Sequence, residues 1–231
     1  MAFFLKWDET GEKLYETGVD RGVIYPITNG TYGNGVAWNG LRQVDESPSG
    51  AEPTNLYANN HKYLSLMSVE ELGLTIGAYM SPEEFDACDG TKEIATGVYI
   101  KQQNRKHFGF TYRSLIGNDD EGTDYGYKIH IIYDCLASPS ERSHSTVNDS
   151  PEASELSWSV TTTAVDPGVA DADRTCAIEI DSTKISSAAL TSIENALYGN
   201  DSTPATLPSI TQILEWVGAG GATGATGETN G

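Results

Sequence analysis

Basic residues are scarce in this chain. Of its 231 residues, 14 are Lys or Arg and 33 are Asp or Glu, which gives a formal net charge of −19. A surface this negative repels the nucleic-acid backbone and anionic membranes. The charge therefore argues against sequence-specific nucleic-acid binding and against membrane docking. Two interpretations remain open: plain solubility, or a surface past which DNA moves without sticking.

Cysteines are also few. The chain has three, an odd number, and they are widely spaced, at Cys88, Cys135 and Cys176. No CxxC motif occurs. This pattern argues against a disulfide framework and against a zinc ribbon, so we expect free thiols made in a reducing cytoplasm.

Long apolar runs are missing as well. No stretch approaches the ~20 apolar residues that a membrane span needs. The first eight residues contain three aromatics but neither the basic region nor the apolar core of a signal peptide. We therefore expect a soluble protein without a cleaved leader.

The common catalytic motifs are absent. The sequence contains no GxSxG, P-loop, GxGxxG or HExxH motif, and its four histidines are scattered. His130 is the strongest candidate, since it lies near Asp134 and Cys135 and a Cys–His pair can form a nucleophile. Strand alternation places His130 and Cys135 on opposite faces, which favours a histidine facing a neighbouring strand or solvent. The sequence thus predicts no catalytic, cofactor-binding or metal-binding residue, and no cofactor.

Two clusters of acidic residues could suggest a cation site or acid–base catalysis, but each has a simpler structural explanation. Residues 118–124 resemble a cation-binding loop in composition but lack the spaced ligands of an EF-hand. A solvated hairpin loop is the favoured interpretation, with adventitious calcium as the alternative. Glu83 and Glu84 lie where a short helix is predicted to begin after Ser81 and Pro82, and carboxylates stabilise that end of a helix.

A basic cluster interrupts the negative charge. It comprises Lys101, Arg105, Lys106, His107 and Arg113, interleaved with Phe108, Phe110 and Tyr112. Such mixing can bind nucleic acid, but the charge of the whole chain argues against it. An exposed strand pair and contact with an acidic patch on a neighbouring copy are the other two options.

Short strands and turns dominate the pattern. Asn-Gly pairs begin at Asn29, Asn34 and Asn39 and can each close a tight bend. Period-two alternation indicates half-buried strands at 72–78 and 127–133. The strand at 127–133 is part of an extended segment predicted at 125–136. Further extended segments are predicted at 22–27, 35–44, two strands within 56–67, 97–102, 106–116, 155–165 and 174–181.

One helix is clearly predicted, at residues 186–198. An apolar stripe recurs there at spacing four, and Gly199 can supply a left-handed terminating residue. Residues 207–217 form an apolar element of uncertain type. We expect one β domain at 1–217 and a flexible Gly/Thr-rich tail at 218–231.

Several phrases of the sequence resemble the major tail proteins of siphophages, especially those with Gram-positive hosts. The resemblance covers roughly residues 1–200. It is carried by FLKWDETGEKLYETGVDRGVIYP (4–26), GVAWNGL (35–41), ESPSGAEP (46–53), LYANNHKYL (56–64), EELGLTIGAY (70–79), FTYRSLIGNDD (110–120) and GYKIHIIY (126–133).

This resemblance implies a mainly β fold, a β-sandwich or barrel-like tail-tube domain with one flanking helix at about 186–198 and long inter-subunit loops. It implies a virion structural protein, made in the host cytoplasm, whose hexameric rings stack into the tail tube through which DNA passes during ejection. Implied partners are sister copies, a tape measure protein in the lumen, and the tail terminator and distal tail or baseplate proteins at the ends. The family carries no catalytic residues, so none are transferred, and we expect no enzyme activity.

Two other classes stay open. One is a different virion or tailocin protein, such as a tail terminator or decoration protein. The other is an acidic hydrolase with a dispersed site, for which His130 with a carboxylate is the best candidate.

Overall fold

Antiparallel strands make up most of the protein. The computed structural model describes residues 4–144, 146, 153–169 and 172–221. Its strands are β1 (Tyr15–Thr28), β2 (Thr31–Tyr32), β3 (Val36–Ala37), β4 (Leu41–Ser49), β5 (Pro53–Ala58), β6 (His61–Met67), β7 (Glu71–Ala78), β8 (Lys92–Ala95), β9 (Val98–Ile100), β10 (Phe108–Asn118), β11 (Gly122–Ala137), β12 (Leu156–Thr162) and β13 (Ala177–Asp181). Its helices are a 3₁₀ turn (Glu83–Phe85), α1 (Ser187–Tyr198) and α2 (Ile210–Gly221).

Nine strands form one sheet in the order β2-β1-β10-β11-β12-β7-β4, with β13 paired to β11 and β3 to β1. The pairs β5–β6 and β8–β9 stand outside it as separate hairpins. The sheet curls until β1 contacts β4, but no ladder joins these two strands among the described residues. The prediction of a mainly β fold is confirmed, and the curled sheet stays open rather than closing into a barrel.

Two apolar cores lie on opposite faces of the sheet. The first fills the inside of the curl, where Phe85, Phe108 and Trp158 pack edge to face. The second lies between β1, β11 and β13 and the two helices. The second half of strand β11, from Ile129 onward, separates the cores and is buried on both sides, which explains its nearly continuous apolar run.

A bulge in β11 overturns one expectation about Cys135. Phe110 pairs with Ile132 but Phe108 pairs with Cys135, so the β11 strand carries an extra residue, and Asp134 takes a φ of +46° there. The bulge shifts the side-chain alternation by one position. Cys135 therefore joins Ile132 in the first core, on the face of His130, and the predicted placement on opposite faces was wrong.

Tight turns close several hairpins as predicted. Asn29 (φ +54°) and Gly30 (φ +78°) join β1 to β2, and Asn59 and Asn60, also at positive φ, join β5 to β6. The pair at Asn34 behaves differently, because it lies between two separate strands rather than at the tip of a hairpin.

The predicted helix is confirmed as α1. Ser186 caps it through a hydrogen bond from the Ala189 backbone N–H, and Ala189, Ile193 and Leu197 are buried. Gly199 ends it at φ +73°, although its ψ of 178° is extended rather than left-handed helical.

The structure also defines the element at 207–217 and the short helix predicted after Ser81. The element of uncertain type is α2, which continues to Gly221, so the boundary predicted at 217/218 falls inside it. Residues 222–231 of the predicted tail lie outside the described residues. The short helix after Ser81 is a single 3₁₀ turn, and Pro82 occupies its capping position and offers no side-chain oxygen.

Candidate assembly surfaces

The hairpin β5–β6 carries a large exposed apolar surface. All but one of its strand residues are exposed, including Tyr57 at 71%, Tyr63 at 68% and Met67 at 70%. Leu56 pairs with Leu64, and Leu66 lies two residues further along the same face. A lone two-stranded hairpin is marginally stable in water, so a surface of this kind is stabilised when a partner covers it.

A second uncovered hairpin is formed by β8 and β9. Ile94, Val98 and Tyr99 are exposed there, although such residues favour the half-buried surface of a sheet. This hairpin follows the 3₁₀ turn and so projects from a different part of the chain than β5–β6. Both hairpins are natural contact surfaces.

The N-terminal segment at residues 4–9 pairs with no strand in the part of the chain that the structure describes. Phe4, Leu5 and Trp7 are exposed, with Trp7 at 75%. The chain just after this segment is anchored by a hydrogen bond, in which the Gly11 N–H donates to Asp119 Oδ1 at 3.0 Å. The acidic stretch 118–124 thus includes the β10–β11 turn, as predicted, and its tip carries this anchor.

A polar network surrounds the buried His130 and reaches the surface at Glu16 and Glu179. The Ser114 hydroxyl lies 2.9 Å from His130 Nε2 and 2.6 Å from Glu16 Oε1. Lys128 Nζ lies 2.9 Å from Glu16 Oε2 and 3.1 Å from Glu179 Oε1, so it links the two carboxylates. Burial alone would raise the pKa of Glu16, but hydrogen bonds from Ser114 and Lys128 outweigh it and lower that pKa.

This network places Ser114 beside the predicted His130. Sequence reasoning missed Ser114 because the two residues meet only across paired strands. Its hydrogen bonding does not suit a Ser–His nucleophile. The Ser114 hydroxyl can donate only one proton, and with Glu16 as its acceptor it accepts from His130 Nε2–H instead. A nucleophilic serine needs the reverse direction, and Ser114 is also only 6% exposed.

The predicted basic cluster is dispersed by the fold. Arg113 forms a two-pronged ion pair with Asp20 at 2.6 and 2.7 Å, and Arg105 lies beside Asp89. His107 Nδ1 lies 2.6 Å from Asp134 Oδ1. The interleaved Phe108 and Phe110 are buried in the first core. Lys101 lies with Arg105 at one surface cavity, and Lys106 lies with His107 at another. With its cations divided in this way and its phenylalanines buried, the cluster does not present the interleaved basic and aromatic surface that single-stranded nucleic acid binds.

Two further features bear on function. Within the described ranges, no three His, Cys, Asp or Glu side chains converge to hold a metal ion. Nor does this part of the chain include a helix with the length and apolarity to cross a bilayer.

Comparison with known proteins finds similarity to solved structures but not to a known family. No protein-family model matches the chain, and no curated protein matches its sequence. A chain of the sheath-tube complex of an extracellular contractile injection system, PVC, in its extended state is similar over 70% of this chain and 88% of its own length. The identity is 12% and the TM-score is 0.30.

Proposed function

We propose that the protein is a virion structural subunit, the major tail-tube protein of a siphophage of the Gram-positive-host type. Copies polymerise as stacked hexameric rings, and the viral DNA passes through the tube during ejection. The observation that carries this proposal is the hairpin β5–β6, whose apolar side chains are exposed on both strands. The sequence resemblance supplies the family.

Self-association explains why such surfaces are retained. The hairpins and the open edges of the curled sheet are different surfaces of the subunit. When a hairpin of one copy covers a sheet edge of the next copy, the contact is therefore head-to-tail. Head-to-tail contacts generate rings when the rotation closes, and filaments when it does not. Pairing edges between copies also removes the free strand edges that otherwise invite uncontrolled aggregation.

The negative charge suits a DNA conduit. Each copy carries a net charge of −19, so a ring of copies is strongly negative as a whole. A negative lumen repels the phosphate backbone and leaves no deep binding sites along the path. DNA then slides through without sequence-specific contacts.

The remaining roles follow from the family. A tape measure protein occupies the lumen before ejection, and the tail terminator and distal tail or baseplate proteins cap the two ends. The subunit is made in the bacterial host cytoplasm and functions in the virion, without membrane contact, without cofactor or metal, and without enzyme activity. The Ser114 hydroxyl donates to Glu16, which speaks against a Ser–His nucleophile, so the hydrolase alternative is limited to His130 acting with a carboxylate.

Electron microscopy tests the proposal. Negative-stain images of the purified chain should show rings or tubes of uniform diameter, and antibody labelling should decorate the tail tube of the parent particle. A tube subunit should also rank among the most abundant virion proteins. A low copy number, with label confined to a tail end or to the capsid, would reject the tube role in favour of a terminator or decoration protein.

A further inference from the structure

An apolar groove runs between β13 and α2. Its volume is ≈ 350 Å³, and Leu214 and Val217 of α2 are exposed at its rim. Its floor includes Ile178 and Ile180 of β13 and Ile210 and Ile213 of α2. Such a surface is suited to cover by another apolar segment.

The groove lies beside a free strand edge. Strand β13 pairs with β11 along residues 177–181, and no strand pairs with its other edge within the described residues. The edge therefore offers backbone N–H and C=O groups to an extended segment. Addition of a strand at an open edge gives main-chain hydrogen bonds, while pockets for alternate side chains select the sequence.

The exposed N-terminal segment matches this site in pattern. In a strand through residues 4–7, Leu5 and Trp7 point to one face and Lys6 to the other. On β13, Ile178 and Ile180 face the second core and α2, whereas Glu179 faces the opposite side, beside Lys128. A strand added in register thus places two apolar side chains in the groove and a cation on the side of Glu179.

We propose that residues 4–7 of one copy add as a short strand to the β13 edge of a neighbouring copy, with Leu5 and Trp7 in the groove. In the copy that carries the segment, the groove is lined by residues 178–217 alone, and residues 4–7 stay exposed. Both surfaces are therefore uncovered within one chain and complementary between chains. The inference rests on the proposed self-assembly and identifies one of its contacts.

Disulfide cross-linking between two marked populations tests it. Both carry Cys176→Ser, which removes the half-buried thiol and keeps the buried Cys88 and Cys135. One population carries Leu5→Cys and an affinity tag, and the other carries Leu214→Cys. After mixing, assembly and mild oxidation, we expect a cross-linked pair containing one chain of each population.

Matched variants give the controls. Leu14→Cys, also at an exposed leucine outside the segment, should give at least tenfold less cross-link with Leu214→Cys. Adding Lys6→Glu to Leu5→Cys should lower the yield several-fold, because a carboxylate would face Glu179. Equal yields from Leu5→Cys and Leu14→Cys would overturn the proposal.

A double variant distinguishes neighbouring copies from the same copy. Leu5→Cys with Leu214→Cys in one chain should give linked multimers, whereas a fast-migrating closed monomer alone would place the segment in its own groove and overturn the proposal. Electron microscopy of the same samples separates the two proposals. Tubes without cross-links contradict this contact only, whereas cross-linked pairs without tubes keep the contact and contradict the tail-tube function.

Discussion

Tyr112 stacks flat on His130, with ring centroids 4.4 Å apart and ring planes 3° apart. Three carboxylates from three strands surround this pair: Glu16 lies 3.7 Å from His130 Nε2, and Glu46 and Glu179 each lie 3.9 Å from Nδ1. The Tyr112 hydroxyl donates to Glu46 at 2.7 Å. The pair thereby links β1, β4 and β13 to the long β10–β11 hairpin.

The protonation of His130 should make the fold sensitive to mild acid. Burial lowers the pKa of His130 from its ordinary 6.5, and this outweighs the three nearby carboxylates, which favour the charged ring. The unfolded chain therefore binds a proton more readily than the folded chain just below pH 6.5. The contribution of His130 to stability is fully present above that pH and is lost as the pH falls towards the lower folded pKa.

Urea unfolding of the monomer at pH 7.5, 6.5 and 5.5 measures this effect. We expect the free energy of unfolding to fall over this range, and to fall less steeply in His130→Gln. Glu16, whose pKa is lowered below 4.5, adds its own loss only at more acidic pH. An identical pH slope in the variant would show that His130 does not contribute.

Phe85 should be among the most important side chains for stability. It is fully buried and contacts the rings of Trp38, Phe108 and Trp158. Phe85→Ala should cost about 3–5 kcal/mol, because it removes this contact area and leaves a cavity. Phe4→Ala is the matched control: Phe4 is exposed, so its loss should change monomer stability by less than about 0.5 kcal/mol in the same denaturation experiment.

The three cysteines should react with thiol reagents in a fixed order. Cys88 and Cys135 are buried, whereas Cys176 is partly exposed. Burial raises the pKa of the Cys88 thiol to about 12 and that of Cys135 well above its ordinary value, which suppresses the reactive thiolate. Mass spectrometry after iodoacetamide treatment should show Cys176 modified first in the native protein, and all three modified in urea. Early modification of Cys135 would contradict the packing of the first core.

Local patterns predicted the elements that depend on neighbours along the chain. Alternation located β7, turn residues located the β5–β6 hairpin, and an apolar stripe with a serine cap located α1. Features that depend on distant residues could not be read in this way. The bulge at Asp134 is visible only as a register shift against β10, and it moved Cys135 to the other face.

The polar network and α2 show the same limit. Ser114 and His130 meet because β10 and β11 pair, and Glu46 joins them because the sheet curls. The type of the element at 207–217 depended on packing against the second core, where Ile210 and Ile213 are buried. The exposure of β5–β6 could not be predicted either, since its apolar residues look like those of an ordinary half-buried strand pair.

The uncovered hairpin β5–β6 is the central claim, and replacing its apolar residues tests it most directly. Tyr57→Asp with Leu66→Asp should leave a folded monomer with unchanged circular dichroism, because neither side chain is packed in a core. Val169→Asp, at another exposed apolar residue, is the control. Sedimentation velocity combined with negative-stain microscopy should show tubes for the wild type and the control, and monomers for the hairpin variant. A wild-type chain that stays monomeric at every concentration, or a hairpin variant that assembles as well as the wild type, would contradict the account.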